Sequence, residues 1–360
     1  MNEMVELTAE QRAIVEAKEN KIVVIATAAA GKTRCITERI RYLLQQGVPA
    51  SEIAAITFTN AAAEEMSARL GAPTGLFIGT IHSLANRMLL SHGIDTSRLI
   101  NNEKFDELFE LVEKHPECVK RFKHLVLDEA QDSSPSQFSF VIDMIQPENY
   151  ILVGDHRQSI YTFADADPTL LTSLAAQPDV KVYELTQNYR NAPEILEYAK
   201  SLIQPLGAIY RDRAKAMRQA IGRVLTVEYS GDGIAKTIAR RVSEGQDKYN
   251  DWFILTRTNA QAAQISATLN KYNIPNCTFK KANFDNKGLQ EKMKENNVKV
   301  LTIHTSKGLE AKNVVVIGAH FRGVEETCLC YVAATRAKDL LVWTFTKKYR
   351  KPRPTTTRWE

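Results

Sequence analysis

Residues 21–33 read KIVVIATAAAGKT. Four consecutive β-branched aliphatic residues, 22–25, with no polar alternation, predict a short parallel strand buried on both faces. A run of small residues follows, then Gly31-Lys32-Thr33, then the helical pattern TRCITERIRYLLQQ. Strand, small-residue loop, Gly-Lys-Thr and helix together spell a phosphate-binding loop. Backbone N–H groups of Ala28, Ala29, Ala30 and Gly31 at a helix N-terminus favour an anion through their partial positive charge. Lys32 would reach the terminal phosphates, and the Thr33 hydroxyl would ligate Mg²⁺. The match is imperfect, because Ala26 stands at the first glycine of G-x-x-x-x-G-K-[ST].

The rest of the chain must supply the sheet that carries this loop. At 360 residues, 44% of them hydrophobic, it is long enough for two domains with separate cores. The net charge of +5 permits a nucleic-acid partner without demanding one. No apolar run approaches the ~20 residues of a membrane span, so no membrane role is expected. The opening MNEMVELTAEQ is acidic and polar, unlike a secretory leader. Cys35, Cys118, Cys277, Cys328 and Cys330 are odd in number and scattered, which reads as reduced thiols in a cytoplasmic protein. Cys328-x-Cys330 lacks the second ligand pair of a zinc site.

Before the loop, LTAEQRAIVEAKE (7–19) predicts a helix with Thr8 as N-cap and Gln11 completing a capping box. The alternative is that the Gln11 amide reads a base; without further context capping is the stronger reading. After the loop come a strand over 54–60 with a following helix, and a strand running into a helix over 76–90. Residues 91–121 are polar, with one amphipathic segment (Phe105, Leu108, Phe109, Val112), and read as a small helical insertion. HLVLDEAQD (124–132) delivers Asp128 and Glu129 at a strand's C-terminal end, where ligands of open α/β sheets sit. A strand ending in a polar loop (150–163) and a strand leading into a helix near Pro193 (182–196) complete an alternating β/α set. A basic, helical stretch over 191–222 leads into a second alternation. Its strands are expected at 223–229, 252–258, 298–304, 314–319 and 340–346, and its helices at 232–244, 259–272 and 325–337. The tail from Lys347 is basic and contains two prolines.

Taken in order, the motifs resemble those of superfamily 1 DNA helicases of the UvrD/PcrA/Rep type, from Leu7 to about Lys338. LTAEQ resembles the Q motif, ATAAAGKT Walker A, ITFTNAAAEEM and GTIHSL the next two elements, LDEAQD motif II, and VGDHRQSIYTFADA motif III. LTQNYR resembles motif IV, LTRTNAQ the element opening the second motor domain, LTIHTSKGLE motif V, and YVAATRAKD motif VI. The resemblance implies an α/β fold of two RecA-like (P-loop NTPase) motor domains in tandem. These would span 1–190, with the insertion at 91–121, and 191–346, followed by a flexible tail at 347–360.

For ATP and Mg²⁺, the resemblance implies that Gln11 bonds the adenine edge while Arg34 and Tyr189 sandwich its ring. Lys32, Thr33 and Asp128 would hold phosphates and metal. Glu129 would be the general base, Gln158 the γ-phosphate sensor and Glu310 the ribose contact. Arg190 and Arg336 would be arginine fingers, Arg336 from the second domain, so that the site lies in the interdomain cleft. For single-stranded DNA or a tailed duplex, the matching positions are Phe58, Asn60, Thr80, His82, Tyr161, Phe163, Arg257, Asn259 and His304. Aromatic platforms interleaved with amide and basic groups suit a single strand. Movement from 3′ to 5′ is implied by the family alone.

Departures from the family pattern matter as well. Ala29 replaces a usual glycine, which requires that position to adopt a conformation alanine tolerates. Ala61 and Ala164 replace cationic residues, and Thr327 and Cys328 stand where arginines are common. His82 and Asp128 are only 46 positions apart, and Arg257 and Thr302 only 45, where relatives insert whole accessory domains. Residues 280–297 are expected to form a polar loop or short helix in place of the second insertion. The implied protein is a reduced two-domain motor: a helicase, or a translocase whose missing surface comes from a protein partner in a repair, replication or defence complex. A non-enzymatic scaffold is disfavoured by the complete set of hydrolytic residues, and a nuclease by the lack of a spare carboxylate–lysine cluster.

Overall fold

The computed structural model describes residues 6–279, 291–318 and 323–345. Contacts divide the chain into two units, 1–186 and 187–360. The expected tail from Lys347 and most of the 280–297 segment lie outside the described residues.

In the first unit, six strands form a wholly parallel sheet. They are β1 (Lys21–Ala26), β2 (Ile53–Thr57), β3 (Phe77–Thr80), β4 (His124–Leu127), β5 (Asn149–Gly154) and β6 (Lys181–Leu185), in the order β3-β2-β4-β5-β1-β6. The inner strands are buried on both faces, which is why β1, β2, β4 and β5 read as apolar runs, whereas edge strand β6 is largely exposed. Alternate residues feed two cores. Val23, Ala54, Ile56, Leu125, Leu127 and Leu152 point to one, and Ile22, Val24, Ala55, Val126, Ile151 and Val153 to the other. The second core is closed by helices α1 (Ala9–Val15), α2 (Lys32–Gln45) and α3 (Asn60–Leu70), through Ile14, Ile36, Ile40 and Met66. Buried Arg39 of α2 donates to the carbonyls of Val15 and Ala17, both at 2.7 Å, and so ties the end of α1 to α2.

The first core is closed in part by α4 (Ile81–Ser91) and by the insertion. The insertion consists of α5 (Ser97–Asn101), α6 (Glu107–Lys114) and a short turn at Pro116–Cys118. Leu108, Phe109 and Val112 are fully buried beside Leu84, Met88 and Phe122. Phe105, expected on the same face, precedes α6 and is 38% exposed. The insertion is thus part of the first unit's core. Helix α7 (Pro135–Ser139) and α8 (Pro168–Ala175) complete the connections on the way to β5 and β6.

The second unit repeats the design. A parallel sheet runs in the order β11-β12-β10-β13-β14-β9, built from β9 (Arg223–Glu228), β10 (Trp252–Thr256), β11 (Asn276–Thr278), β12 (Val298–Thr302), β13 (Ala311–Val316) and β14 (Ala337–Phe345). Helices α10 (Gly231–Ser243) and α11 (Asn259–Lys271) cover one face. Helices α9 (Pro193–Ile203) and α12 (Gly323–Ala334) pack on each other, and α12 is buried continuously from Thr327 to Ala334. That explains its apolar sequence on every side.

Two features differ from expectation. Asn276–Thr278 adds a short edge strand that sequence alone did not suggest. The first unit also ends at Thr186, ahead of the expected boundary at 190. Gln187–Asn188 (β7) pairs with Lys215–Ala216 (β8), and Asn191 donates to the carbonyls of Thr335 (3.1 Å) and Ala337 (2.6 Å). These bonds place Asn188, Tyr189 and Arg190 in the second unit.

Candidate functional site

The neighbouring strands β4, β5 and β1 end side by side, and each C-terminal end carries part of the chemistry. After β1, the loop turns into α2 through two left-handed residues, Ala29 (φ 56°) and Gly31 (φ 78°). Glycine adopts that conformation freely, whereas alanine does so at a cost of about 1–2 kcal/mol. The expectation that position 29 would take an alanine-friendly conformation is therefore corrected. At Gly31 a Cβ would lie 2.9 Å from Gln11 Nε2, so a side chain there would also push the Gln11 amide aside. Ala28 and Ala30 are buried, and Ala26 ends β1 with no exposure.

Lys32 begins α2, and its Nζ lies 2.8 Å from Glu129 Oε1. This ion pair joins residues that the sequence separates widely. Burial opposes the Lys32 charge, but Glu129 and Asp128 beside it hold the ammonium above its usual range. Thr33 and Arg34 follow in the first turn of α2, both partly exposed. Gln11 takes the capping role its sequence position allowed and also touches the phosphate loop. It completes the capping box with Thr8, and its Nε2 donates to the loop carbonyl of Ala30 at 3.4 Å. Its amide is thereby fixed against the phosphate loop.

Beyond β4, Asp128 is buried and its Oδ1 accepts the Glu129 N–H at 2.9 Å. Glu129 is left-handed (φ 53°), a strained conformation costing about 1–3 kcal/mol for a residue other than glycine. Two residues on, buried Gln131 donates from Nε2 to Glu129 Oε2 at 2.6 Å and accepts the Asp155 N–H at 2.8 Å. Beyond β5, Asp155 is fully buried. Burial pushes its carboxyl up, but Arg157, at 2.5 Å, and His156 hold it below the usual range. Asp155 Oδ2 also accepts from Gln158 Nε2 at 2.7 Å, which orients the expected phosphate sensor. Gln131 and Asp155 were missed by sequence reasoning. Their signal was membership of the LDEAQD and VGDHRQSIYTFADA motifs, which named no role for either residue.

Hard oxygen donors (the Thr33 hydroxyl and Asp128 carboxylate), a lysine and a loop opening a helix fit Mg²⁺ and a nucleotide phosphate chain. Among the described residues, no cluster of three or more His, Cys, Asp or Glu side chains suits a metal. Such a cluster is not what a phosphate-bound Mg²⁺ needs, since it keeps waters and few protein ligands.

The remaining nucleotide candidates group together in the second unit. Arg190 donates from Nε to Glu310 Oε2 (2.7 Å) and from Nη1 to the Thr335 carbonyl (3.2 Å). Arg336 is buried, and its guanidinium donates to the Val332 and Leu309 carbonyls at 3.0 and 3.2 Å. Both arginines thus reach the Leu309–Glu310 and Thr335 segments, Arg190 as an ion pair with the partly exposed Glu310 carboxylate and Arg336 buried on main-chain carbonyls. Glu310 is bridged to Arg190 and to Lys338 (2.5 Å). Burial raises its carboxyl, but the two cations override it and pull the value down to about 2. Tyr189 is 44% exposed, and its hydroxyl donates to Gln187.

Of the expected nucleic-acid contacts, Phe58, Tyr161 and Phe163 come together. Phe58 stacks on Tyr161 with ring centroids 5.2 Å apart, and Phe163 meets Tyr161 edge-on at 5.9 Å. Phe163 is 69% exposed, so it is no core anchor. Asn60 and Thr80 open α3 and α4, and Thr80 accepts the Ser83 N–H as N-cap. His82, half-buried, packs on Phe105 and Phe109 of the insertion, at 5.5 and 5.3 Å, where burial lowers its pKa. In the second unit, Arg257 is paired with Glu326 at 2.7 Å, Asn259 opens α11, and His304 lies in the turn after β12.

All five cysteines are unbridged, and among the described residues no helix is long and apolar enough to cross a membrane. Comparison with known proteins agrees with the motif order. The model of the UvrD/REP helicase N-terminal domain matches residues 7–115 and 94–179, and that of the UvrD-like helicase C-terminal domain matches 183–288 and 280–348. The ATP-dependent DNA helicase PcrA of Staphylococcus epidermidis is 27% identical over 76% of this chain and 51% of its own length. PcrA of Leuconostoc citreum is 26% identical over 74% of this chain and 48% of its own, and the ATP-dependent DNA helicase srs2 of Schizosaccharomyces pombe 25% over 75% and 43%. The chain spans about half the length of these relatives. With both family models spanning 7–348 and the helicase motifs in order, the chain belongs to the UvrD/REP family of superfamily 1 helicases, with two α/β units of the tandem RecA-like kind.

Proposed function

We propose that this protein hydrolyses ATP with Mg²⁺ and uses the energy to move along single-stranded DNA from 3′ to 5′, opening duplexes that carry a 3′ tail. The observation that carries the proposal is the Lys32–Glu129 ion pair, which joins the phosphate loop after β1 to the acidic pair after β4, across the end of β5. Bound Mg-ATP supplies the phosphoanhydride and the charge that polarises it. Thr33 and Asp128 hold the metal, and backbone N–H groups of 28–31 with Lys32 hold the phosphates. Glu129 takes the proton of the attacking water, and Gln158 reports the terminal phosphate. Gln11, Arg34, Tyr189 and Glu310 are assigned to the nucleoside, with Arg190 and Arg336 as the cations that stabilise charge on the transferring phosphoryl group. For Arg336, that role requires its carbonyl partners to be exchanged for phosphate. The Phe58–Tyr161–Phe163 ladder offers stacking platforms that grip any base. Asn60, Thr80, Arg257, Asn259 and His304 are assigned to the remaining track. His82 serves it indirectly, by fixing the insertion against α4. The unbridged cysteines suit a reducing, cytoplasmic setting.

A second reading, a translocase that separates strands only with a protein partner, is favoured by the insertion, whose apolar face is built into the first unit's core. Strand displacement on 3′-tailed and 5′-tailed duplexes, run beside DNA-stimulated ATPase, separates the two. Displacement of 3′-tailed substrate alone supports the helicase. ATPase without displacement supports the partnered translocase, and displacement of 5′-tailed substrate alone overturns the direction.

A further inference from the structure

We infer that Gln131 is a positioning residue for the general base: its amide is the crosspiece that fixes the Glu129 carboxylate relative to the end of β5. The inference rests on the hydrolytic role proposed for Glu129. Gln131 has no exposure, yet its polar end is fully used. Nε2 donates to Glu129 Oε2 at 2.6 Å and to Asp132 Oδ2 at 3.2 Å, while Oε1 accepts the Asp155 N–H at 2.8 Å. Only one amide orientation satisfies two carboxylates and one N–H, so the partners themselves set the position of nitrogen and oxygen. The backbone helps too, since the Gln131 carbonyl accepts the Ser159 hydroxyl at 3.2 Å.

Three observations make this more than packing. Glu129 is held in a left-handed conformation, so its carboxylate needs external restraint to keep one direction. Its two oxygens have different partners, Oε1 on Lys32 and Oε2 on Gln131. A nucleotide would draw Lys32 toward phosphate, whereas the Gln131 bond does not depend on Lys32. The cradle is also shaped for the amide. A Cβ on Gly154 would lie 2.6 Å from Gln131 Oε1 and 2.7 Å from Leu171 Cδ2, so only glycine at the end of β5 leaves room. Asp155, the residue that anchors the amide oxygen, also anchors Gln158 at 2.7 Å. Base and phosphate sensor therefore share one fixed point.

The test compares Gln131→Met, which keeps volume and removes every amide bond, and Gln131→Glu, which turns the donor into an acceptor facing two carboxylates. Steady-state ATPase is measured on the full chain with single-stranded DNA, alongside binding of a non-hydrolysable ATP analogue. The expected result is a loss in kcat of about 10-fold or more, set by the ~10²–10⁴-fold worth of general base catalysis. KM and analogue affinity should stay within about 3-fold. In a Glu129→Gln background, Gln131→Met should lower kcat no further, because a positioning residue has nothing left to position. Full additivity with Glu129→Gln, kcat within 2-fold of wild type in both single variants, or unfolding of both would each overturn the assignment. The parent reading is checked separately by wild-type turnover. If wild type has no Lys32-dependent ATPase, it is the hydrolytic role that fails.

Discussion

Replacing Ala29 by glycine should stabilise the protein, although it deletes a methyl group from a loop beside the core. Ala29 stands at φ 56°. An L-residue with a Cβ pays about 1–2 kcal/mol there, and glycine almost nothing. Against that gain, glycine enlarges the unfolded ensemble, which costs about 0.4–1 kcal/mol. The balance is a net gain of about 0.5–1 kcal/mol. For a cooperative unit near the size of residues 1–186, this corresponds to a rise of about 1–4 °C in Tm. Ala29→Val, with a β-branched side chain forced into the same region, should lower it. Thermal and urea unfolding are best followed by far-UV circular dichroism, because Trp252, Trp343 and Trp359 all follow residue 186 and fluorescence reports the second unit. If Ala29→Gly lowers the midpoint while Ala29→Val leaves it unchanged, position 29 is not left-handed and the conformation assigned to the phosphate loop is wrong.

Other consequences are as direct. Phe163→Ala should weaken single-stranded DNA binding by about 1–3 kcal/mol whatever the base sequence, as seen in fluorescence anisotropy. It should leave Tm unchanged, because the ring is 69% exposed. Asn191→Ala should lower the urea-derived stability by about 2 kcal/mol, since it removes this donor from the Ala337 carbonyl, leaves the Thr335 carbonyl to Arg190 Nη1 and takes away an acceptor of the buried Asn188 amide. Glu310 has a folded pKa of about 2 against an ordinary 4.5, so its pairing stabilises the fold fully above about pH 5 and is lost as pH falls toward 2. The difference in unfolding midpoint between wild type and Glu310→Gln should therefore shrink over that window.

Most strands were legible because parallel strands buried on both faces leave uninterrupted apolar runs, as at 22–25 and 314–316. The acidic pair and the phosphate loop were legible for a related reason, since open α/β sheets place ligands at strand ends. What escaped were features set by side-chain partners rather than by pattern. Nothing in the sequence says that Gln131 and Asp155 share a hydrogen bond, or that Asn191 pulls the 187–190 segment into the second unit. His82, a track residue by motif position, also packs on Phe105 and Phe109 of the insertion, a contact between segments whose pairing no periodicity encodes. Short strands such as Asn276–Thr278 lack enough residues to show alternation, and edge pairing alone defines them.

The most direct test of the central claim is ATP hydrolysis with and without single-stranded DNA, comparing wild type with Lys32→Ala. Removing Lys32 leaves the neighbouring Glu129 and Asp128 carboxylates without the ammonium beside them and the phosphates without their lysine. Wild type should hydrolyse ATP faster when single-stranded DNA is added, and Lys32→Ala should lose at least 100-fold of that turnover, on the order of the loss when a key transition-state contact is removed. Turnover that is absent in wild type, indifferent to DNA, or retained in Lys32→Ala would contradict the account.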